Sequence, residues 1–259
     1  DIPFGTEIIG GGAFEDCNLE TIHIPDSVNR IETFAFQCSG LREVYLPDSV
    51  TEIGDICFRG SSELESMRLS QNISILGNQA ISGCKKLKEI DIPASVKKMD
   101  LSNIVWNESL ERVCLHNGLE EITGEGPCLC RIGQLKEISL PKTLRRIPGG
   151  MFHHCHQLKN FNLDPENPFF TTIGDAIYSH NKTRLVAVPD SQRKTFAVPE
   201  GVEEIGELVF LYFYRLENVE LPNTLRKIGH RAFDGCKSLR EIIIPSGLNV
   251  IDFRAFDGC

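Results

Sequence analysis

Residues 41–60 read L-R-E-V-Y-L-P-D-S-V-T-E-I-G-D-I-C-F-R-G, and the order of residue types in this stretch decides the fold. Leu41, Val44 and Leu46 are apolar while Glu43 and Tyr45 alternate with them, the period of two of a short strand with one buried face. Pro47 has no N–H to donate and ends the strand. Asp48-Ser49 is turn chemistry. Val50 and Ile53 point inward around Thr51-Glu52, Gly54 permits a tight bend, and Ile56-Cys57-Phe58 returns to the core.

The template recurs along the chain. The slot after the apolar-x-apolar run is filled by Pro25, Pro47, Ser70, Pro93, His116, Pro141, Asp164, Pro199, Pro222 and Pro245, at steps of 22, 23, 23, 23, 25, 23, 35, 23 and 23 residues. A fixed period in the twenties predicts a solenoid, because each unit is too small to bury its apolar face except on its neighbours. Strand cores run from Ile22/Ile24 through Val44/Leu46 and Val219/Leu221 to Ile242/Ile244. Stacked in parallel they would extend roughly 45–50 Å at about 4.8 Å per rung. Eleven residues after the slot stand Phe36, Phe58, Ile81, Ile104, Phe152, Phe210, Phe233 and Phe256, so six of the 15 phenylalanines are read as a core stripe.

The 35-residue step between Asp164 and Pro199 breaks the period. It holds I-G-D-A-I-Y, S-H-N-K-T and R-L-V-A-V-P, two short alternating runs around a polar turn, which predicts a β-hairpin insertion over residues 165–195 of a single solenoid spanning 1–259. Both ends of the chain fall in mid-pattern, which predicts further sequence beyond Cys259.

Composition narrows the function. With 41% apolar and 24% charged residues the chain reads as globular, and no run approaches the roughly 18 apolar residues of a membrane span. A net charge of −9 opposes nucleic acid and anionic membrane surfaces as partners. Six of the ten cysteines (Cys17, Cys84, Cys130, Cys155, Cys236 and Cys259) share one repeating position, which favours buried thiols over a disulfide framework. Cys114 and Cys128 lie outside that column and are the expected reactive thiols. His153-His154-Cys155-His156 is the densest run of metal-ligand types, but it overlays the ordinary F-x-x-C segment and lacks the separated pairs of a zinc site. Cys128-Leu129-Cys130 has the wrong spacing for a redox pair. Glu43, Glu89, Glu137 and Glu241 occupy one strand column, a decoration rather than a paired-carboxylate site. No catalytic residue, metal site or cofactor is therefore expected.

Two surface columns stand out. The pairs Lys97-Lys98, Glu120-Glu121, Arg145-Arg146, Glu203-Glu204 and Arg226-Lys227 alternate in sign, which predicts charge pairing between stacked rungs. The exposed middle position of the first strand instead varies in chemistry: His23, Tyr45, Arg68, Asp91, Cys114, Ser139, Asn162, Ala197, Glu220 and Ile243. Variable decoration on a regular frame is what a recognition surface requires. Tyr and Arg are enriched at interface hot spots, so Glu43, Tyr45, Arg68 and Asp91 are the expected ligand-binding residues, with the tip at Ser179–Lys182 as the rival location.

The motif A-F-x-x-C followed by L-x-x-I-x-I-P occurs at Ala13–Cys17 with Leu19–Pro25 and again at Ala232–Cys236 with Leu239–Pro245. With the insertion D-A-I-Y-S-H-N-K-T-R-L-V-A-V-P, the chain resembles the BspA-like leucine-rich repeat family of bacterial surface proteins. Residues 100–131, with Trp106 and G-E-G-P-C-L-C, depart most from its pattern. The expected fold is an α/β leucine-rich repeat solenoid: a right-handed superhelix of about ten rungs, with a parallel β-sheet on one side and one hairpin insertion. The resemblance implies secretion or surface display and adhesion to host proteins or other cells. The expectation is a monomeric, non-catalytic binder of a protein ligand; a polysaccharide-binding or polysaccharide-degrading solenoid and a structural spacer are the alternatives.

Overall fold

The computed structural model describes residues 1–124, 132–189 and 192–259. The chain winds as a solenoid whose rungs carry two short strands each. First strands form at Glu43–Tyr45, Ser66–Arg68, Glu89–Ile92, Arg112–Leu115, Glu137–Leu140, Asn162–Leu163, Thr195–Ala197 and Asn218–Glu220. Pairing is parallel and in register with the repeat: Val44 opposes Met67, Val113 opposes both Ile90 and Ile138, and Phe196 opposes Val219. Two expected members, at Ile22/Ile24 and Ile242/Ile244, form no strand; both belong to terminal rungs.

Second strands build another parallel ladder on a different side. Before the insertion it contains Ile8–Ile9, Arg30–Ile31, Glu52–Ile53, Ile75–Leu76, Lys98–Asp100 and Glu121–Thr123; after it come Glu204–Ile205, Lys227–Ile228 and Val250–Ile251. In most of these short strands one residue is driven inward, so Ile31, Ile53, Ile205 and Ile228 are fully buried, whereas both residues of the terminal Val250–Ile251 are exposed.

The return path is made of turns. Among the described residues the only helix is a single 3-10 turn at Leu101–Asn103, so the helical component of an α/β class is almost absent. The turns stack as regularly as the strands. The N–H groups of Phe34, Phe36 and Cys38 donate to the carbonyls of Asp55, Cys57 and Arg59 in the next rung at 3.1, 2.8 and 2.9 Å. Pointing alternate amides at the next rung requires left-handed residues, and two positions per rung supply them. Nine residues after the slot, Phe34, Ile56, Gln79, Leu208, Arg231 and Arg254 have φ between +49° and +62°. Thirteen after it, Gly83 and Gly235 do so at +72° without a Cβ penalty, whereas Trp106, His154 and Tyr212 adopt +64°, +63° and +57° at a cost of about 1–2 kcal/mol each.

The Phe stripe is the centre of the core. Phe14, Phe36 and Phe58 stack with centroids 5.1 Å apart at each step, and Phe233 stacks on Phe210 at 4.9 Å and on Phe256 at 5.2 Å. These spacings match the rise of one rung.

The cysteine column has a chemical reason that the sequence did not display. Its occupants donate to the carbonyl of the stripe residue one rung back: Ser61 to Phe36 at 2.9 Å, Cys84 to Phe58 at 3.3 Å, Asn107 to Ile81 at 3.1 Å, Cys236 to Phe210 at 3.1 Å and Cys259 to Phe233 at 3.2 Å. In these rungs the position holds a small donor for a buried carbonyl, which Cys, Ser and Asn all satisfy, while after the insertion Phe213 fills it with an apolar ring. Burial pushes the Cys84 thiol up to about 12, so it remains a protonated donor, and burial raises the Cys57 thiol as well. Cys17, Cys38, Cys57, Cys84, Cys114 and Cys259 carry free thiols. Cys128 and Cys130 lie outside the described residues.

Within 165–195, Phe170–Ile173 pairs antiparallel with Ala176–Ser179, which pairs antiparallel with Arg184–Ala187. The last of these then joins the second ladder in parallel, Arg184 opposite Glu204 and Leu185 opposite Ile205. Asn167 anchors the entry: its buried amide donates to the carbonyls of Pro141 and Leu144 at 2.9 and 3.0 Å and accepts from the N–H groups of Phe169 and Phe170 at 2.8 Å. Arg193 pairs with Asp175 at the exit. The core has two clusters that meet here, with Ile177 and Ala187 in the first and Ala176, Tyr178 and Leu185 in the second.

Candidate ligand-binding face

The period of two that buries Val44 and Met67 turns Glu43, Tyr45, Ser66 and Arg68 outward on the first ladder. Register places Tyr45 opposite Arg68, and the guanidinium carbon sits 4.5 Å above the Tyr45 ring centroid. Tyr45 remains 59% exposed. Arg68 also reaches Asp48, at the turn after Pro47, at 3.6 Å. The cation–π contact and this ion pair hold two long side chains in one geometry, which lowers the entropy lost when a partner docks.

The other two candidates sit differently. Glu43 opposes Ser66, two residues from Tyr45 on the same face. Asp91 lies on the following strand, where its register partner is Cys114. Arg68 pairs with Asp48 instead of Asp91, so Tyr45, Arg68 and Asp48 form one group and Asp91 with Cys114 a second. Partial burial raises the Cys114 thiol, and the hydrogen bond and charge of Asp91 raise it further. This corrects the reading of Cys114 as reactive, since a thiol beside a carboxylate resists ionisation.

Farther along, the face is lined by small polar side chains. Asn162 donates to Ser139 at 3.3 Å, and His116, Asn117, Ser139, Asn162 and Asp164 border a shallow pocket of about 340 Å³.

The flanks of the ladder are charge-paired as well, a pattern outside the two surface columns singled out from the sequence. Five residues before the slot stand Glu20, Arg42, Glu65, Lys88, Glu111 and Lys136, alternating in sign. Glu20–Arg42 and Glu111–Lys136 close at 3.7 and 2.8 Å, and Glu63–Lys86 beside them at 2.6 Å. The hydrogen bond from Lys136 holds Glu111 below the usual carboxylate range, and that from Lys86 does the same for Glu63. The signal was available as a column alternation like that of the second ladder. There, Lys98–Glu121 at 3.2 Å, Glu121–Arg146 at 3.5 Å and Glu204–Lys227 at 3.3 Å confirm stacking of opposite signs.

On the turn side, His154 stacks on Tyr212 at 5.9 Å and Tyr212 on Tyr214 at 5.7 Å, with the Lys237 ammonium 5.4 Å from the Tyr214 centroid. The histidine run is thus engaged in aromatic packing. Among the described residues no three His, Cys, Asp or Glu side chains are grouped to hold a metal ion. Among the described residues no helix is long and apolar enough to cross a membrane.

Two parallel ladders, a stacked aromatic stripe and a 23-residue rung define a leucine-rich repeat solenoid. The chain belongs to the family of BspA type leucine rich repeat regions, whose model matches in six copies over residues 1–111, 102–197 and 127–259. Among solved structures it is similar to the pneumococcal vaccine antigen PcpA, with a TM-score of 0.70 at 22% identity over 93% of this chain and 57% of that one. It therefore spans little more than half the length of PcpA. A leucine rich cell surface protein of Faecalibacterium prausnitzii gives a TM-score of 0.64 at 22% identity, covering 93% of this chain and 80% of that one. A leucine-rich repeat protein of Bacteroides ovatus gives 0.61 at 23% identity over 100% of this chain and 70% of that one. Among curated proteins no sequence matches the chain. At these identities the structural likeness concerns the fold.

Proposed function

We propose that this chain is a non-catalytic recognition module, secreted or displayed at a cell surface, that binds a protein ligand on the exposed face of its first ladder. The observation that carries this reading is the Tyr45–Arg68 pair, an ordered aromatic–guanidinium contact that no core position needs. Glu43 and Asp91 flank it with negative charge, so a ligand with an apolar or aromatic anchor between basic groups matches the face. Family membership and the cell-surface description of the Faecalibacterium relative support the location.

A glycan-binding solenoid would need a row of aromatic rings with open faces. The row that the fold supplies, His154–Tyr212–Tyr214, spends its ring faces on its own members and on Lys237. Protein is therefore the favoured ligand class.

The test is a pull-down against extracellular proteins with a glycan array beside it, followed by titration of the captured ligand. Tyr45→Ala with Arg68→Ala should weaken binding at least tenfold, about 1.4 kcal/mol, with thermal stability nearly unchanged. Normal binding by this double variant, together with loss on shortening the Ser179–Lys182 tip, would move the site to the insertion.

A further inference from the structure

On the second ladder, cations pair with a carboxylate in an adjoining rung, as Lys98 does with Glu121 and Lys227 with Glu204. At the insertion two such cations meet at one joint. Arg146 takes its partner, Glu121, from the rung before, at 3.5 Å. Arg184 takes its partner, Glu204, from the rung after, at 3.6 Å. Both side chains, with Arg145, line one pocket of about 150 Å³ at the joint. Phe170 and Val186 form its apolar wall, and Glu207 is the one carboxylate bordering it among the described residues.

The three guanidiniums are held but not spent. Arg145 is placed over the Phe169 ring at 5.6 Å, and its Nε meets Glu120 at 3.7 Å. Arg146 uses Nη1 and Arg184 uses Nε for their carboxylates. A guanidinium has five donors, and pairs at 3.5–3.7 Å engage one nitrogen of each side chain. The remaining N–H groups belong to three arginines, from two separate segments, that line the same small pocket. The turns flanking the pocket are closely packed: a Cβ at Gly149 would lie 2.6 Å from the Glu207 carbonyl oxygen.

We propose that this pocket is a binding site for a tetrahedral oxyanion, a sulfate or phosphate group carried by a larger ligand. Three arginines lining one pocket can offer more N–H donors than the two coplanar oxygens of a carboxylate accept, which suits an anion with four oxygens, and arginine binds oxyanions through paired N–H donors. The volume admits the oxyanion and little else, so the rest of the ligand lies outside it. The site is on the ladder opposite in character to the Tyr45–Arg68 face and does not depend on it.

The test is titration of the whole chain with sodium sulfate, sodium phosphate and sodium acetate at constant ionic strength, read by calorimetry and by melting temperature. The expected result is saturable binding of sulfate or phosphate at millimolar concentration, with acetate at least tenfold weaker. Arg145→Gln and Arg184→Gln should each weaken the oxyanion at least fivefold, and the more exposed Arg145 serves if the Arg184 variant fails to fold. Selenate soaked into crystals should give an anomalous peak between Arg145, Arg146 and Arg184. Equal stabilisation of the parent chain and both variants would mean a general salt effect of excluded sulfate and would overturn the proposal, as would a selenate peak elsewhere.

Discussion

The two parallel ladders are built from the same rung, yet their exposed residues follow different rules. On the second ladder each strand has about two residues, and charged outward side chains meet the opposite sign in an adjoining rung, as in Lys98–Glu121–Arg146 and Arg184–Glu204–Lys227. On the first ladder the outward column passes from Tyr45 to Arg68, Asp91, Cys114, Ser139 and Asn162 with no such rule. Its charge matching has moved to the flank, where Glu20–Arg42 and Glu111–Lys136 pair. Moving the stacking electrostatics off the face leaves the face free to vary. That separation is what lets a repetitive frame carry an individual surface.

The separation can be broken from the frame side first. Phe36 stacks between Phe14 and Phe58 and is fully buried, so Phe36→Ala should remove about 3–5 kcal/mol in chemical denaturation. Gly235 comes next. Its φ of +72° is left-handed and a Cβ there would lie 2.3 Å from Tyr212 Cδ1, so Gly235→Ala should lose about 2–4 kcal/mol. Reversing Glu120 and Glu121 to Lys sets like charges beside Lys98, Arg145 and Arg146, and we expect a loss of about 1–2 kcal/mol at low salt, partly regained at high salt. No change in melting temperature at low salt would show that the second ladder is as unconstrained as the first.

The smallest effect is a pH dependence at the 3-10 turn. Burial alone would raise Asp100, but hydrogen bonds from Ser102 and Thr123 outweigh it and its carboxyl is held below the usual range. A carboxyl depressed in the folded state adds stability above its unfolded pKa, roughly 4, and that stability is lost as pH falls through the folded value. Asp100→Asn should therefore flatten the acid limb of the stability curve below about pH 4 while leaving the neutral plateau lower. An unchanged acid limb would assign the turn to Ser102 and the backbone alone.

Much of this architecture was legible in the residue order. The period, the inward columns and the Phe stripe follow from burial at fixed spacing, and burial repeats because every rung meets the same neighbours. The second-ladder charge alternation was legible for the same reason. The donor role of the cysteine column was not, because Cys, Ser and Asn look unrelated until the carbonyls of Phe36, Phe58, Ile81, Phe210 and Phe233 are seen beneath them. The left-handed turns were hidden where Ile56, Leu208 and Tyr212 hold them in place of glycine, since rung-to-rung hydrogen bonds offset the local strain.

At the candidate face the sequence chose the residues, but tertiary structure chose their partners. Residue order determined that Tyr45 and Arg68 share an exposed column, because strand periodicity and the repeat length leave no alternative. Only the folded rung decided that Arg68 would lie over Tyr45 and reach Asp48, leaving Asp91 to Cys114. Likewise, Arg184 is far in sequence from Arg145-Arg146 across an insertion-broken stretch, and no period relates it to them. They share a pocket because the last strand of the insertion enters the second ladder at Glu204, a pairing set by backbone hydrogen bonds that carry no signature in the side chains.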